Sequence, residues 1–292
     1  MKQIFKKIVI RALTSMGFSI SRVNHNDIQL YFKIYGKEDV ENKRFYNIGA
    51  GLFKHPAWTN IDYHSKYYKD NEIHTDCDLL ECKPLPIPDN SANIVYSSHT
   101  IEHITDEAVQ NMLNEAYRIL KRGGTIRLAA PNIDLYYKVL LNNDVEFWRW
   151  DIDTYSKEEN MRNVGIGVPM NNVSMKQIFL FSFASQTSSL HIDRSTQKIS
   201  DEEFDRIFSE RKFEDALNYC KSKCSIELQC KYPCHHINWW NKDKLFRMLR
   251  LAGFKNIYLS AYGQSMSPVL RNTYYFDSTC PRASIYVESN KK

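Results

Sequence analysis

The sequence has no long uninterrupted hydrophobic segment, no internal repeat and no low-complexity tract. The apolar run at residues 8–10 follows several lysines but is cut by Arg11. It is therefore far shorter than the ~20 residues that a membrane-spanning helix needs. The seven cysteines are odd in number, which argues against a closed disulfide framework. We expect a protein without a secretion signal that resides in the reducing cytoplasm.

The chain also lacks a strong charge of either sign. It has 39 Lys and Arg against 34 Asp and Glu, a net charge of +5. This balance suits an anionic small molecule or a membrane surface but is too weak to indicate nucleic acid. With 292 residues, 43% of them hydrophobic, the chain can form one large globular domain or a domain with an insertion.

Residues 2–16 form a pattern typical of a basic amphipathic helix, with Ile4, Ile8, Leu13 and Met16 among its apolar members. Two interpretations stay open. The helix packs on the domain, or it makes peripheral contact with an anionic membrane at the inner membrane face. In the second case each nearby Lys or Arg contributes ~1 kcal/mol.

From residue 45 onward, short apolar runs alternate with helical periodicity, which predicts an α/β fold with a parallel sheet. Residues 136–235 break this rhythm and are mostly helical, polar and aromatic, so we interpret them as an insertion or lid. The predicted strands are 45–48, 58–62, 72–75, 92–97, 125–130, 257–261 and 283–288, with helices at 105–120 and 242–251 and an antiparallel pairing of the last two strands.

Glycines and acids follow three of these strands. Gly49 and Gly51 come after the first, and glycine lets a backbone turn tightly against a ligand. Asp62 ends the second strand, where a carboxylate can accept hydrogen bonds from both hydroxyls of a ribose. Asp78 follows the third and can accept from an exocyclic amine, with Asp76 as an alternative. Ligands of open parallel sheets bind at this edge.

Five motifs along this part of the chain belong together. They are NIGAG (47–51), WTNID (58–62), LPIPDNS (85–91), SSHTIEH (97–103) and EAYRILKRGG (115–124). As a set they resemble the class I S-adenosylmethionine-dependent methyltransferases. They are most similar to the methyltransferase-type-11-like enzymes associated with bacterial surface-polysaccharide synthesis. The resemblance covers roughly residues 45–135 and, more loosely, 236–288.

The resemblance implies a Rossmann-like class I methyltransferase fold. This fold has a mostly parallel seven-stranded sheet, an antiparallel last strand and, here, a helical insertion. The expected organisation is an N-terminal helical segment (1–42), the cofactor-binding half (43–135), the insertion or lid (136–235) and a C-terminal helix and strands that complete the sheet (236–292).

The resemblance also implies S-adenosyl-L-methionine as cofactor and S-adenosyl-L-homocysteine as product. The implied cofactor contacts run along the predicted strand ends. They are Gly49, Ala50 and Gly51 under the methionine part, Asp62 with Tyr63 at the ribose, Asp78 and Leu79 at the adenine, and Ser98 and His99 at the methyl-transfer site.

Three features depart from the family pattern. Phe53 stands where many members have a third glycine, and Asn93 where an aspartate is usual. The link from Gly51 to Trp58 is also shorter than the dozen or more residues of an ordinary crossover. We therefore expect the first helix of the fold to be vestigial or absent.

Methylation of an oxygen requires a base to take its proton, and histidine is the natural candidate. His99 directly follows the fourth strand, so we predict a catalytic role for it. His236 lies just before the helix at 242–251 and is the second predicted catalytic residue. His103, one helical turn after His99, is expected to be a structural partner.

Cys220, Cys224, Cys230 and Cys234 precede two histidines, but their spacing is not the C-x2-C of structural zinc sites. We expect ordinary reduced cysteines and no metal site.

Two further groups of side chains have alternative roles. The aromatic cluster of Phe147, Trp148, Trp150 and Tyr155 is either core or a surface that stacks on a sugar or nucleobase. Arg271 and Arg282 could hold an anionic group or simply be solvated.

The favoured function is O-methylation of a glycan, or of its nucleotide- or phosphate-bearing precursor, in cell-surface polysaccharide synthesis. The alternative is a non-catalytic protein that keeps the cofactor fold and acts as a partner subunit. A nicotinamide-dependent oxidoreductase is disfavoured, because the turn lacks the full G-x-G-x-x-G pattern. The sequence identifies neither the acceptor nor the oligomeric state.

Overall fold

The computed structural model describes residues 2–17, 27–64 and 71–292. Its central sheet has seven strands: β1 (Phe45–Ile48), β2 (Thr59–Asp62), β3 (Thr75–Asp76), β4 (Ala92–Ser98), β5 (Leu120–Pro131), β6 (Asn256–Ser260) and β7 (Ser284–Asn290). Their order across the sheet is β3-β2-β1-β4-β5-β7-β6. Strands β1 to β5 pair in parallel, whereas β7 is antiparallel to both β5 and β6. The predicted mostly parallel sheet with an antiparallel last strand is confirmed.

Eleven α-helices accompany these strands in the described residues. They are α1 (Lys2–Ser15), α2 (Ile28–Glu41), α3 (Asp106–Ile119), α4 (Ile133–Leu141), α5 (Arg149–Thr154), α6 (Glu158–Asn163), α7 (Met175–Phe181), α8 (Asp201–Glu210), α9 (Phe213–Lys221), α10 (Ile226–Lys231) and α11 (Lys242–Leu251).

Helices α3 and α11 cover one face of the sheet, as the helical periodicity predicted. Leu113 of α3 and Leu245 of α11 are fully buried in one cluster with Val95 of β4 and Ile126 of β5. Each such side chain contributes ~1.5–3 kcal/mol through its removal from water. This face therefore supplies the main core of the sheet.

The first crossover helix is absent, as its short link predicted: residues 49–58 connect β1 to β2 without a helix. Helix α2, which precedes β1, covers this part of the second face instead. Its Tyr31 packs edge-on against Phe45 of β1, with ring centroids 5.1 Å apart. The Tyr31 hydroxyl also accepts a hydrogen bond of 2.8 Å from Trp58 Nε1. Phe276 from the loop before β7 completes the aromatic cluster.

Two strands begin more than two residues away from their predicted starts. β3 comprises only Thr75–Asp76, whereas the sequence suggested 72–75. β5 begins at Leu120, several residues early, because Leu120 pairs with Ala92 before a register shift in β4. The extra length includes Gly123 and Gly124, which lie between the predicted helix at 105–120 and the predicted strand at 125–130.

Helices α4 to α10 form the predicted helical insertion and have an apolar core of their own. Phe179, Phe204 and Leu217 lie in this core. Asp106 at the start of α3 connects the insertion to the sheet, because its carboxylate binds Lys221 of α9 and, at 2.7 Å, Lys244 of α11.

The predicted N-terminal helix is present as α1. Ile8 on this helix and Met16 directly after it are 59% and 63% exposed, so these two side chains do not pack on the domain. In the part of the chain that the structure describes, no helix is long and apolar enough to cross a membrane.

Candidate active site

A cavity of about 630 Å³ opens at the carboxyl ends of β1 and β4. The glycine turn after β1 forms one wall, and the loop between β6 and β7 forms another. Its lining includes Gly49, Ala50, Gly51, Phe53, Ser98, His99, Tyr274, Tyr275, Ser278 and Thr279. The structure thus brings five of the predicted cofactor residues together, and adds a loop that sequence analysis did not assign to the site.

Gly49 lets the chain pass close to the end of β4. Its backbone has φ +69°, which side chains disfavour, and a Cβ here would overlap the side chain of Thr100. Its amide donates to the carbonyl of Ile61 at 2.9 Å, which ties the turn to β2. The cavity floor is therefore bare backbone, as close approach of a ligand requires.

Asp62 supports this turn from the end of β2. Its carboxylate accepts hydrogen bonds from the backbone amides of Gly51 and Tyr63, at 2.7 and 2.9 Å. Burial raises the pKa of Asp62, and these amide hydrogen bonds oppose the rise. The geometry gives Asp62 a structural task in addition to its predicted role at the ribose.

Four predicted cofactor residues do not line the described cavity: Asp62, Tyr63, Asp78 and Leu79. Asp78 instead caps the short 3₁₀ helix Leu79–Glu81, where it accepts from the Leu80 amide at 2.9 Å. The ribose and adenine roles of these four residues stay predictions.

The two substitutions relative to the family pattern have structural partners. Phe53, in place of a third glycine, packs against Trp58 and Phe276 with ring centroids 5.7 and 5.6 Å away. Asn93 donates to Asp39 of α2 at 2.9 Å. Both contacts secure the part of the sheet that lacks the first helix.

A buried charge network holds the loop between β6 and β7. Arg127 of β5 binds both carboxylate oxygens of Asp277, at 3.0 and 2.5 Å. It also donates to Glu288 of β7 at 2.7 Å. Side chains of all three are fully buried. Because Asp277 immediately precedes two cavity residues, Ser278 and Thr279, this network positions the second wall of the cavity.

His99 faces the cavity in a left-handed backbone conformation, φ +52°. Such a conformation costs a non-glycine residue ~1–3 kcal/mol. Its ring is held on both sides: Nδ1 lies 3.1 Å from Oε1 of Glu102, and Nε2 lies 2.7 Å from Oγ of Ser284. Glu102 and Ser284 therefore fix the ring at the cavity wall.

Behind His99 lies a group of polar side chains that the sequence analysis only partly identified. Glu102 is 1% exposed. Burial opposes its ionisation, but the charge of the neighbouring His99 holds the pKa of Glu102 at about 2. His236 donates from Nδ1 to the carbonyl of Ser182 at 2.6 Å, and burial lowers its pKa to about 4. His236 is therefore a neutral imidazole near pH 7.

A second cavity, of about 440 Å³, lies between the insertion and the sheet. Asp151 of α5 is one of its polar groups, and burial raises the pKa of this carboxyl to about 6. Of the predicted aromatic cluster, only Trp150 is outside the lining, with 68% of its surface exposed. The lining includes Tyr136, Phe147, Trp148, Asp151, Tyr155, His236, Cys280 and Arg282.

The other arginine considered from the sequence, Arg271, donates to the Ser265 carbonyl at 2.7 Å.

The two cavities share a wall. His99 lines the first and His236 lines the second, and Glu102 lies between them. On the other side, residues 278–279 line the first cavity and residues 280, 282 and 283 the second. A ligand in one cavity therefore lies next to a ligand in the other, which is the arrangement that transfer of a group between two molecules needs.

Comparison with known families gives one match: the family described as "Methyltransferase domain" matches residues 57–128. This segment includes Asp62 and the SSHTIEH motif. A comparison with curated protein sequences finds no match.

Among solved structures, a methyltransferase of Thermotoga maritima, described as a possible histamine N-methyltransferase, is similar at 10% identity and a TM-score of 0.34. The similarity covers 91% of this chain and 96% of that one. A methyltransferase of Archaeoglobus fulgidus is similar at 13% identity and a TM-score of 0.36, over 90% of this chain and 99% of that one. Phosphoethanolamine N-methyltransferase 2 of Haemonchus contortus, solved with S-adenosylmethionine, is similar at 12% identity and a TM-score of 0.34. The similarity covers 85% of this chain and 48% of that one. This chain thus spans about half of that enzyme.

The first cavity suits S-adenosylmethionine, because a bare glycine turn, hydroxyl groups and aromatic rings surround a space of adequate size. The matched segment contains Asp62 at the end of β2, Ser98 at the end of β4 and His99 directly after it. The seven-stranded, mostly parallel sheet with an antiparallel last strand agrees with the fold that the family resemblance implied. The segment at residues 57–128, which carries these three predicted cofactor residues, therefore resembles a methyltransferase domain.

Proposed function

We propose that this enzyme methylates an oxygen atom of a glycan, or of its nucleotide- or phosphate-bearing precursor, in cell-surface polysaccharide synthesis. The composition of the second cavity supports this proposal. Phe147, Trp148 and Tyr155 offer aromatic surfaces against which a sugar ring can pack, and Arg282 offers a cation for a phosphate. The choice of a glycan itself rests on the family resemblance.

When bound, S-adenosylmethionine supplies an electrophilic methyl group on a positively charged sulfur. The chain must then hold the acceptor oxygen ~3–3.5 Å from its target and keep water out. The shared wall of the two cavities, with His99 on one side and His236 on the other, is where the acceptor oxygen belongs.

Removal of the acceptor proton is the second task of the site. His99 and His236 are the candidates predicted from the sequence. Asp151 is a third, because burial raises its pKa to about 6, close to the pH at which a general base works best. No local sequence pattern marks Asp151, since its role depends on the insertion folding over the sheet.

The proposal includes a cytoplasmic location with α1 in contact with an anionic membrane. Exposed Ile8 and Met16 support it, together with the nearby positive charges of Lys7 and Arg11. An amphipathic helix of this composition binds in the plane of the headgroups rather than across the bilayer.

The decisive experiment for the cofactor site is isothermal titration of the purified, ligand-free protein with S-adenosylhomocysteine. We expect micromolar binding, reduced at least tenfold in Asp62→Ala because the variant loses both the ribose acceptor and the support of the Gly51 amide. Asp215→Ala is the control, since Asp215 is exposed on α9 and away from the strand ends. Unchanged affinity in Asp62→Ala contradicts the assignment, and no binding to the folded wild type favours the partner-subunit alternative.

The acceptor is tested by incubation with S-adenosylmethionine carrying a labelled methyl group and a panel of nucleotide sugars and lipid-linked oligosaccharides. The expected product is a sugar methyl ether, identified by mass spectrometry. Labelling of an amine instead would show that the oxygen acceptor is wrong.

A further inference from the structure

Three potential metal ligands converge beside the wall that separates the two cavities. One oxygen of Glu102 and one ring nitrogen each of His103 and His236 all lie within 4.8 Å of one another. Among the described residues, this is the one group of at least three His, Cys, Asp or Glu side chains with such geometry. The cysteines at 220–234 are not part of it.

Hydrogen bonds leave both histidines ready to bind a cation. Nδ1 of His103 lies 2.9 Å from the carbonyl of His235, and Nδ1 of His236 lies 2.6 Å from that of Ser182. Because a carbonyl only accepts, each Nδ1 carries the proton and each Nε2 keeps its lone pair. Metal-binding histidines typically donate their other ring nitrogen to a carbonyl or carboxylate in this way.

The carboxylate of Glu102 lacks a sufficient set of partners for a buried charge. It is 1% exposed, and neither of its oxygens accepts a hydrogen bond of acceptable geometry. His99 Nδ1 is close to Oε1, at 3.1 Å, and His103 Nε2 is 3.9 Å from the same oxygen. Burial of an ionised carboxylate is costly unless it is paired or coordinates a metal.

We propose that Glu102, His103 and His236 bind one divalent transition-metal ion of the zinc type. Two imidazoles and a carboxylate suit Zn²⁺ and Fe²⁺, whereas Mg²⁺ and Ca²⁺ prefer oxygen ligands. Ligands ~2.0–2.2 Å from a tetrahedral ion lie ~3.4 Å apart. The three ligand atoms lie within 4.8 Å of one another, so metal binding must shorten the widest separation by up to ~1.4 Å.

The position of the site suggests what the ion does there. His236 lines the acceptor cavity, and Glu102 contacts His99 at the cofactor cavity. Three protein ligands leave a tetrahedral ion with an open position. That position would take a hydroxyl or phosphate oxygen of the acceptor, so this part of the inference rests on the proposed function.

This site departs from the sequence-based expectation of no metal. The sequence assigned His236 to catalysis and His103 to structure, and it did not single out Glu102. Their convergence depends on contact between the segment after β4 and the segment before α11, which are more than 130 residues apart in the chain.

The test uses the full chain after treatment with a chelator, titrated with Zn²⁺ and analysed for bound metal. We expect one ion per chain and at least a tenfold loss of affinity in His103→Gln and in Glu102→Gln. Cys230→Ser is the control, because Cys230 is exposed and belongs to the cysteine group. Absence of Zn²⁺ binding, or binding that depends on Cys230 but not on Glu102, overturns the proposal.

A second measurement needs no variant and so does not depend on how buried substitutions fold. Co²⁺ bound in place of Zn²⁺ should give visible absorption bands without an intense thiolate-to-cobalt band. A strong thiolate band places the ion on cysteine and overturns the proposal. Titration of the metal-free protein with S-adenosylhomocysteine separates the two hypotheses: cofactor binding without Zn²⁺ binding refutes only the metal site, and the reverse refutes only the cofactor site.

Discussion

At the scale of single residues, a functional residue can be recognised in the sequence when a motif or a strand end next to it marks its position. Gly49 and His99 directly follow strands and belong to recognisable motifs, so their place at the cavity could be predicted. Arg127, Asp151 and Glu102 could not, because each looks like an ordinary charged residue of a strand or helix. Only the folded chain shows that they are buried and which groups they face.

Asp151 provides a test at this scale. A carboxylate accepts a proton only when it is ionised, and its pKa is raised to about 6 by burial. We therefore expect the turnover rate to rise with pH through about 6 and to level off above it. Asp151→Asn should slow turnover by roughly 10²-fold and remove this rise.

Glu146→Gln is the matched control for this prediction. Glu146 lines the same cavity but its side chain is largely exposed, so loss of this carboxylate should leave the pH profile of turnover unchanged.

The thermal stability of Asp151→Asn gives an independent check of the raised pKa. A raised folded-state pKa means that the native protein binds the proton more tightly, so stability falls as pH rises toward 6. Asp151→Asn should consequently melt higher than wild type at pH 7. A wild-type pH profile in Asp151→Asn would remove Asp151 from the mechanism.

At the scale of elements, the link between β1 and β2 shows what length alone can and cannot predict. Ten residues cannot hold a crossover helix, so its absence followed from the sequence. The sequence did not indicate which element takes the place of that helix. Helix α2, which precedes β1, does so, and its Tyr31 forms a hydrogen bond with Trp58. Such packing between distant segments leaves no periodic signal in either of them.

The glycine turn in this link gives a prediction about the cofactor site. Gly49→Ala places a Cβ into the side chain of Thr100 and forces a strained φ, so S-adenosylhomocysteine binding should fall at least tenfold. The control is Gly123→Ala, which also has a positive φ but has open space around the added Cβ. If Gly49→Ala binds S-adenosylhomocysteine as tightly as Gly123→Ala, the close approach of Gly49 to Thr100 is not needed for the cofactor site.

At the scale of the whole molecule, the loop before β7 depends on a buried arginine in β5. In the interior, the positive charge of Arg127 forms ion pairs with the carboxylates of Asp277 and Glu288. Removing one partner of a buried ion pair typically costs ~3–5 kcal/mol, because the remaining charge stays buried without a partner. Arg127→Met should therefore lower the free energy of unfolding by about this amount, measured by chemical denaturation.

The same substitution should also weaken S-adenosylhomocysteine binding, since residues 278–279 follow Asp277 directly. The triple variant Arg127→Met, Asp277→Asn, Glu288→Gln removes the unpaired charges and should recover part of the stability. Arg149→Met, which breaks an exposed pair with Glu146, is the control and should leave stability unchanged. If Arg127→Met is as stable as wild type, the network does not hold the loop.

Strand β7 lies between β5 and β6 although it follows both of them along the chain. On the ribosome, β6 therefore emerges before the strand that joins it to the sheet. Glu288 is also made after every other member of the Arg127 network. Until β7 inserts, β5 presents an unpaired edge and Arg127 lacks one of its carboxylates, a state that invites aggregation. We therefore expect the cavity wall formed by residues 278–279 to become ordered only once β7 has paired with β5.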